Sequence, residues 1–144
     1  MTDERYNKEY AILQKIFKDK TFRFLDFNTA KPNLVIAQQT QSGKVYTIKI
    51  DLSCFPDDVP IAFITNPKPL KTLTGEPMLG ASRDMHTLPG VEGCTRVCHY
   101  GPQQWHPNVS LYKIIVKIRF WLEAYEEHLK TGELLSKWLA DASG

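Results

Sequence analysis

Cys98 is the residue best placed to do chemistry in this sequence. It ends the run T-R-V-C and precedes H-Y-G-P-Q-Q-W-H-P-N, so it lies seven residues ahead of Trp105 and nine ahead of Pro107. A thiol held in a glycine- and proline-containing loop, close to a rigid tryptophan–proline ledge, is accessible and fixed, as a nucleophile must be. The reactive form is the thiolate, which a neighbouring cation stabilises; Arg96 and His99 flank the cysteine on either side. Two other readings start from the same residues. Free cysteines are among the most buried residue types, so Cys98 can be a small core residue. Cys94, Cys98, His99 and His106 also amount to four zinc-ligating side chains. Their spacing, C-x3-C-H-x6-H, matches no compact zinc module, and adjacent Cys98 and His99 fit poorly into one tetrahedral shell. Cys94 reads as a spectator or as a resolving thiol under oxidation. Cys54, beside Phe55 at the end of an apolar strand, reads as core. The zinc-deaminase signature is absent, and so is a glycine-rich phosphate loop, so use of ATP is not expected.

The elements that must position Cys98 follow from periodicity. Residues 3–19 predict a helix, with Tyr6, Tyr10, Leu13 and Phe17 on one stripe and Arg5, Lys8, Lys15 and Lys18 on a basic opposite face. Asp3 and Glu4 suit its positive end. Phe22–Asn28, Asn33–Gln39, Lys44–Leu52 and Ile61–Thr65 read as strands, the second and third joined by the hairpin signal Gln41-Ser42-Gly43. Short connections make these four an antiparallel meander. Pro56 and Pro60 stiffen the turn between the third and fourth. Asn66–Val97, rich in Gly and Pro, predicts a long functional loop. Ser110 is a helix N-cap, and Leu111, Ile114, Ile115, Ile118, Leu122 and Tyr125, widened by Val116, Phe120 and Trp121, form the stripe of a largely buried helix that Gly132 ends. Glu133–Asp141 reads as a short final helix packing Leu134, Leu135 and Trp138. The expected class is α+β, a single domain over 1–144.

Composition sets bounds on partners. A net charge of +2 with no basic run argues against a nucleic-acid or membrane partner. The charged N-terminal stretch has no apolar signal core, and no run is long enough to span a bilayer. Three cysteines, an odd and low count, fit free thiols in the cytoplasm better than a disulfide framework.

The order of elements and motifs resembles the ubiquitin-conjugating (UBC) fold superfamily, over approximately residues 3–141. Y-T-I-K-I-D-L-S-C-F-P-D-D-V-P-I-A-F-I-T is similar to the third strand, the aromatic-Pro-x-x-x-Pro turn and the fourth strand of that family. R-V-C-H-Y-G-P-Q-Q-W-H-P-N-V-S-L is similar to its catalytic segment and the start of its central helix. The resemblance implies that Cys98 carries the C-terminus of a protein as a thioester and passes it to an amine, with Trp105 and Pro107 as the family's Trp and Pro. The family's His-Pro-Asn tripeptide, whose Asn supports the oxyanion, has no counterpart; His86-Thr87-Leu88 stands in that region, and His106-Pro107-Asn108 lies after the cysteine. His86 is then expected to organise the loop, and backbone N–H groups near Cys98 or Asn108 to take over oxyanion support. Loss of the Asn resembles bacterial members found in anti-phage (CBASS) operons. These imply a protein substrate with a reactive C-terminus, such as a cGAS-like nucleotidyltransferase or a ubiquitin-like protein. An activating enzyme would dock on the first helix, with no cofactor and no metal. The rival reading on the same fold is a non-catalytic binding module.

Overall fold

The computed structural model describes residues 1–18 and 20–139. Helix α1 (Asp3–Ile16) starts at Thr2, whose hydroxyl accepts from the Arg5 N–H at 3.1 Å, and Asp3 and Glu4 lie in its first turn. It buries Leu13, and Tyr6 and Tyr10 meet Phe24 and Phe22 edge-on at 4.9 and 5.8 Å. Six strands follow: β1 (Phe22–Leu25), β2 (Asn33–Gln39), β3 (Val45–Asp51), β4 (Ile61–Asn66), β5 (Thr87–Val91) and β6 (Cys94–Val97). They form one antiparallel sheet in the order β1-β2-β3-β4-β6-β5. Helix α2 (Leu111–Thr131) is capped by Ser110, whose hydroxyl accepts from the Lys113 N–H, and ends at Gly132 in the left-handed region at φ 76°.

The period-two alternation sorts the sheet into two faces. Leu34, Ile36, Tyr46, Ile48, Ile50, Ala62, Ile64 and Val97 form one core with Leu111, Ile114, Ile115, Ile118, Trp121 and Leu122 of α2. The opposite face carries Arg23, Val35, Lys49, Phe63, Arg96 and Leu88, in register with one another from β1 across to β5.

The expected α+β order holds, and four details differ. The sheet has six strands rather than four, because residues 87–97 form a hairpin where a loop was expected. Glu92 and Gly93 both take positive φ, 51° and 75°, which is the two-residue turn that matches strand twist. Pro89-Gly90 hid this hairpin in the sequence, and a register shift between Leu88 and Val91 accommodates them. The first strand stops at Leu25, since Asp26 turns to φ 54°. Phe120, counted in the buried stripe, is exposed. The short final helix is reduced to one 3₁₀ turn (Leu135–Lys137) that buries Leu135 alone; Leu134 and Trp138 face solvent, and Ala140 and Asp141 lie outside the described residues. The rest of the long connection is pinned to the core: the Leu70 N–H donates to Thr95 Oγ1, and the Leu73 N–H to His128 Nε2. Among the described residues no helix is long and apolar enough to cross a membrane.

Candidate active site around Cys98

Cys98 is fixed from its backbone outward. It directly follows β6, and its N–H donates to the His86 carbonyl at 3.0 Å. Trp121 Nε1, from α2, donates to the Met85 and His86 carbonyls at 3.0 and 3.1 Å. The core helix therefore holds the strip of backbone on which the cysteine hangs. His86 itself sits at φ 52°, a conformation costly for a residue with a side chain and therefore sustained by these surrounding bonds. The His86 carbonyl thus joins the Cys98 N–H to Trp121 of α2.

The sulfur-bearing side chain is half-buried and lines two neighbouring cavities. One, of about 370 Å³, lies against Ala81, Ser82, Arg83 and His86. The other, of about 470 Å³, lies against the β3–β4 connection, with Asp51, Cys54, Asp58 and Arg96 in its wall. Leu88 lines both. Cys98 is thus a wall of both cavities. Burial pushes the Cys98 thiol up, and the positive charges of Arg96 and Lys117 pull it part of the way back.

His99, which its position left as either a neighbouring cation or, more often, a solvent-facing side chain, is neither. Its ring is 5% exposed and its Nε2 donates to the Pro60 carbonyl at 2.8 Å. Burial, only partly offset by that bond, lowers its pKa to about 4, so the imidazole is neutral at pH 7. The cation that sequence reasoning missed is Lys117. Its Nζ lies 3.8 Å from the centre of the Tyr100 ring, two residues beyond Cys98. On the helix stripe it sits between Ile114 and Ile118, where a lysine reads as solvated surface; only tertiary packing turns it toward the cysteine.

Trp105 and Pro107 form a buttress behind this site. Trp105 Nε1 donates to the Pro56 carbonyl at 2.9 Å, and its ring meets Phe55 and Tyr100 edge-on at 6.1 and 5.6 Å. The tryptophan thereby ties the F-P-D-D-V-P turn to the segment after Cys98. The Pro107 and Val109 carbonyls accept from the Arg5 guanidinium, which also donates through Nε to Glu9 at 2.8 Å. Arg5 is therefore turned inward and leaves the basic face expected of the first helix to Lys8 and Lys15, since the helix ends at Ile16, before Lys18. Asn108 is exposed, and its N–H donates to His106 Nδ1 at 3.1 Å. Of the five residues singled out, Cys98 and His86 share a cavity; Trp105, Pro107 and Asn108 lie on the supporting segment and line neither cavity.

The remaining thiols sit apart in character. Cys94 is buried, with its Sγ 3.7 Å from the Glu92 carbonyl. Cys54, expected in the core, is exposed, because it falls in the turn after β3 rather than in the strand, and it lines the larger Cys98 cavity. The four zinc-ligand candidates do not converge: His99 points at Pro60 and His106 at its own turn, and no three such side chains group together among the described residues. No protein-family profile, characterised protein or solved structure matches this chain.

Proposed function

We propose that Cys98 is the thioester-forming cysteine of a ubiquitin-conjugating-enzyme-like acyl transferase. The observation that carries the reading is a half-buried sulfur, fixed through the His86 carbonyl, that opens onto two cavities at once. In this reading one cavity takes the acyl donor and the other the acceptor amine, with Cys98 between them. The order of motifs around Cys98, described above as resembling the UBC superfamily, supports the same conclusion.

The chemistry has two steps. The Cys98 thiolate adds to the activated carbonyl at the C-terminus of a protein, and the previous leaving group, a thiolate or an adenylate, departs as the new C–S bond forms. A primary amine then adds to that thioester; the C–S bond breaks, an amide remains, the amine's proton leaves to solvent and Cys98 recovers its thiol. Because the electrophile arrives activated, the protein's task is to orient the amine and hold the developing charge. A thiol raised by burial is mostly protonated at neutral pH, which protects it from oxidation, while its thiolate is a stronger nucleophile. The cargo proposed from the resemblance is a protein such as a cGAS-like nucleotidyltransferase or a ubiquitin-like protein, charged by a separate activating enzyme.

Incubation with a protein or peptide carrying a C-terminal mercaptoethanesulfonate thioester tests this. The expected product is a thiol-sensitive adduct seen by mass spectrometry, lost in Cys98→Ala and retained in Cys54→Ala and Cys94→Ala. An adduct that survives Cys98→Ala overturns the assignment. Absence of any adduct on wild-type protein favours the non-catalytic module.

A further inference from the structure

Among the described residues Arg96 has no ion-pair partner. It stands two residues before Cys98, the last residue but one of β6, so the two side chains leave the backbone on the same side, about 7 Å apart at their Cα atoms. Its partners across the sheet are Phe63 on β4 and Leu88 on β5, both apolar. No carboxylate forms an ion pair with it among the described residues, and its Nε is buried without a hydrogen-bond acceptor. It lines the larger cavity together with Cys98. A buried, unpaired guanidinium nitrogen is costly and calls for a reason. An anion generated at the neighbouring sulfur supplies one.

We infer that Arg96 is the residue that holds the negative charge of acyl transfer at Cys98, standing in for the oxyanion Asn that this chain lacks. The inference rests on the acyl-transfer reading above. The charge moves during the reaction: it begins on the Cys98 sulfur, passes to the carbonyl oxygen of the first tetrahedral intermediate and departs with the donor's leaving group. Addition of the amine places it on the carbonyl oxygen of a second intermediate, and it ends on the Cys98 sulfur as the C–S bond breaks. It thus stands near Cys98 on the sulfur and on the oxygen of each intermediate. All three positions lie within one or two bonds of Sγ, so one guanidinium with several N–H donors can follow the charge without moving. Phe63 and Leu88 stand beside Arg96 in register, and its Nε is buried, which strengthens the pull of that edge of the guanidinium on an anion. The arginine also lowers the Cys98 thiol against the upward push of burial. Other groups face the sulfur as well. Lys117 reaches it from α2, and His86 lies across the smaller cavity. Asp51, Asp58 and Cys54 line the larger one with Arg96. His99 is neutral above about pH 4 and contributes no charge at working pH.

The test uses a Cys54→Ala/Cys94→Ala background, so that iodoacetamide reports on Cys98 alone, and follows the alkylation rate from pH 6 to 10. Arg96→Gln is expected to move the Cys98 titration upward and to slow alkylation at pH 7.5 by roughly fivefold to tenfold. Arg96→Lys, which keeps the charge, stays near the parent in alkylation. With a peptide thioester as donor and a primary amine as acceptor, Arg96→Gln lowers kcat while KM changes little, and Arg96→Lys recovers part of the loss. If thermal melting shows Arg96→Gln to be unfolded, Arg96→Met, which retains the apolar stem, takes its place. An unchanged alkylation profile together with an unchanged kcat in the neutral variant overturns the role of Arg96 while leaving the acyl-transfer reading intact. If the wild type accepts no acyl group, that reading fails, and the alkylation profile still decides whether Arg96 sets the charge on Cys98.

Discussion

Replacing Glu9 by glutamine dissects the clamp that joins the first helix to the active-site segment. Glu9 is 1% exposed; its Oε2 accepts from Arg5 Nε and its Oε1 from the Leu111 N–H, both at 2.8 Å. Leu111 is the first residue of α2, so the carboxylate also sits at the positive end of that helix. The same guanidinium holds the Pro107 and Val109 carbonyls, and its side chain is 15% exposed. Glutamine keeps the shape and one acceptor for Leu111 but leaves Arg5 as a nearly buried cation facing a neutral amide. Removing one partner of a buried pair costs about 3–5 kcal/mol. The two carbonyls and residual solvent contact that remain to Arg5 reduce this to about 2–3 kcal/mol, and loss of the dipole interaction returns about 0.5 kcal/mol. The expected total is about 3 kcal/mol, a fall of about 1.5 M in the urea midpoint at unchanged slope. Arg5→Met alone is expected to destabilise similarly. The double variant Arg5→Met/Glu9→Met should cost clearly less than the sum of the two, because neither charge is then stranded. A Glu9→Gln cost below about 1 kcal/mol, or additive single effects, refutes the idea that this pair is a desolvated clamp.

Two further outcomes follow from the same geometry. Trp105→Phe keeps a ring against Phe55 and Tyr100 but removes the bond to the Pro56 carbonyl, and is expected to cost about 1 kcal/mol, read as a fall of about 3–4 °C in Tm. Formation of the Cys98 adduct should slow with it, and a Trp105→Phe protein as stable as wild type removes the buttress from the account. His99 has a folded-state pKa of about 4, below the ordinary value of 6.5, so between those two the unfolded chain binds the extra proton and stability falls as pH falls. The loss between pH 7 and pH 5 is about 2 kcal/mol. Urea titrations at both values should show it in the wild type and not in His99→Asn. Equal pH slopes in the two proteins would falsify the burial of a neutral His99.

Local sequence determined most of the scaffold around Cys98. The Ser110 cap, the Gly132 stop, the β2–β3 hairpin and the inward set Tyr46, Ile48 and Ile50 are all legible, because each rests on contacts within a few residues or on a period that repeats along the chain. The hairpin β5–β6 was less so: its turn signal, Glu92-Gly93, is present, but Pro89-Gly90 breaks the alternation that announces a strand. The candidate nucleophile, too, was legible as residue type and spacing. Its electrostatic surroundings were not. Whether His99 points at the sulfur or at Pro60, whether Arg5 faces solvent or Glu9, and whether Lys117 reaches Tyr100 depend on which distant segments pack together. The same holds for Cys54, which a strand pattern places in the core and a turn places at the mouth of the Cys98 cavity. The sequence by itself determined most of the elements and singled out the candidate thiol, since propensity, periodicity and capping act along the chain. Only the tertiary structure decided which charges face that thiol, since burial and pairing are properties of contacts made across it.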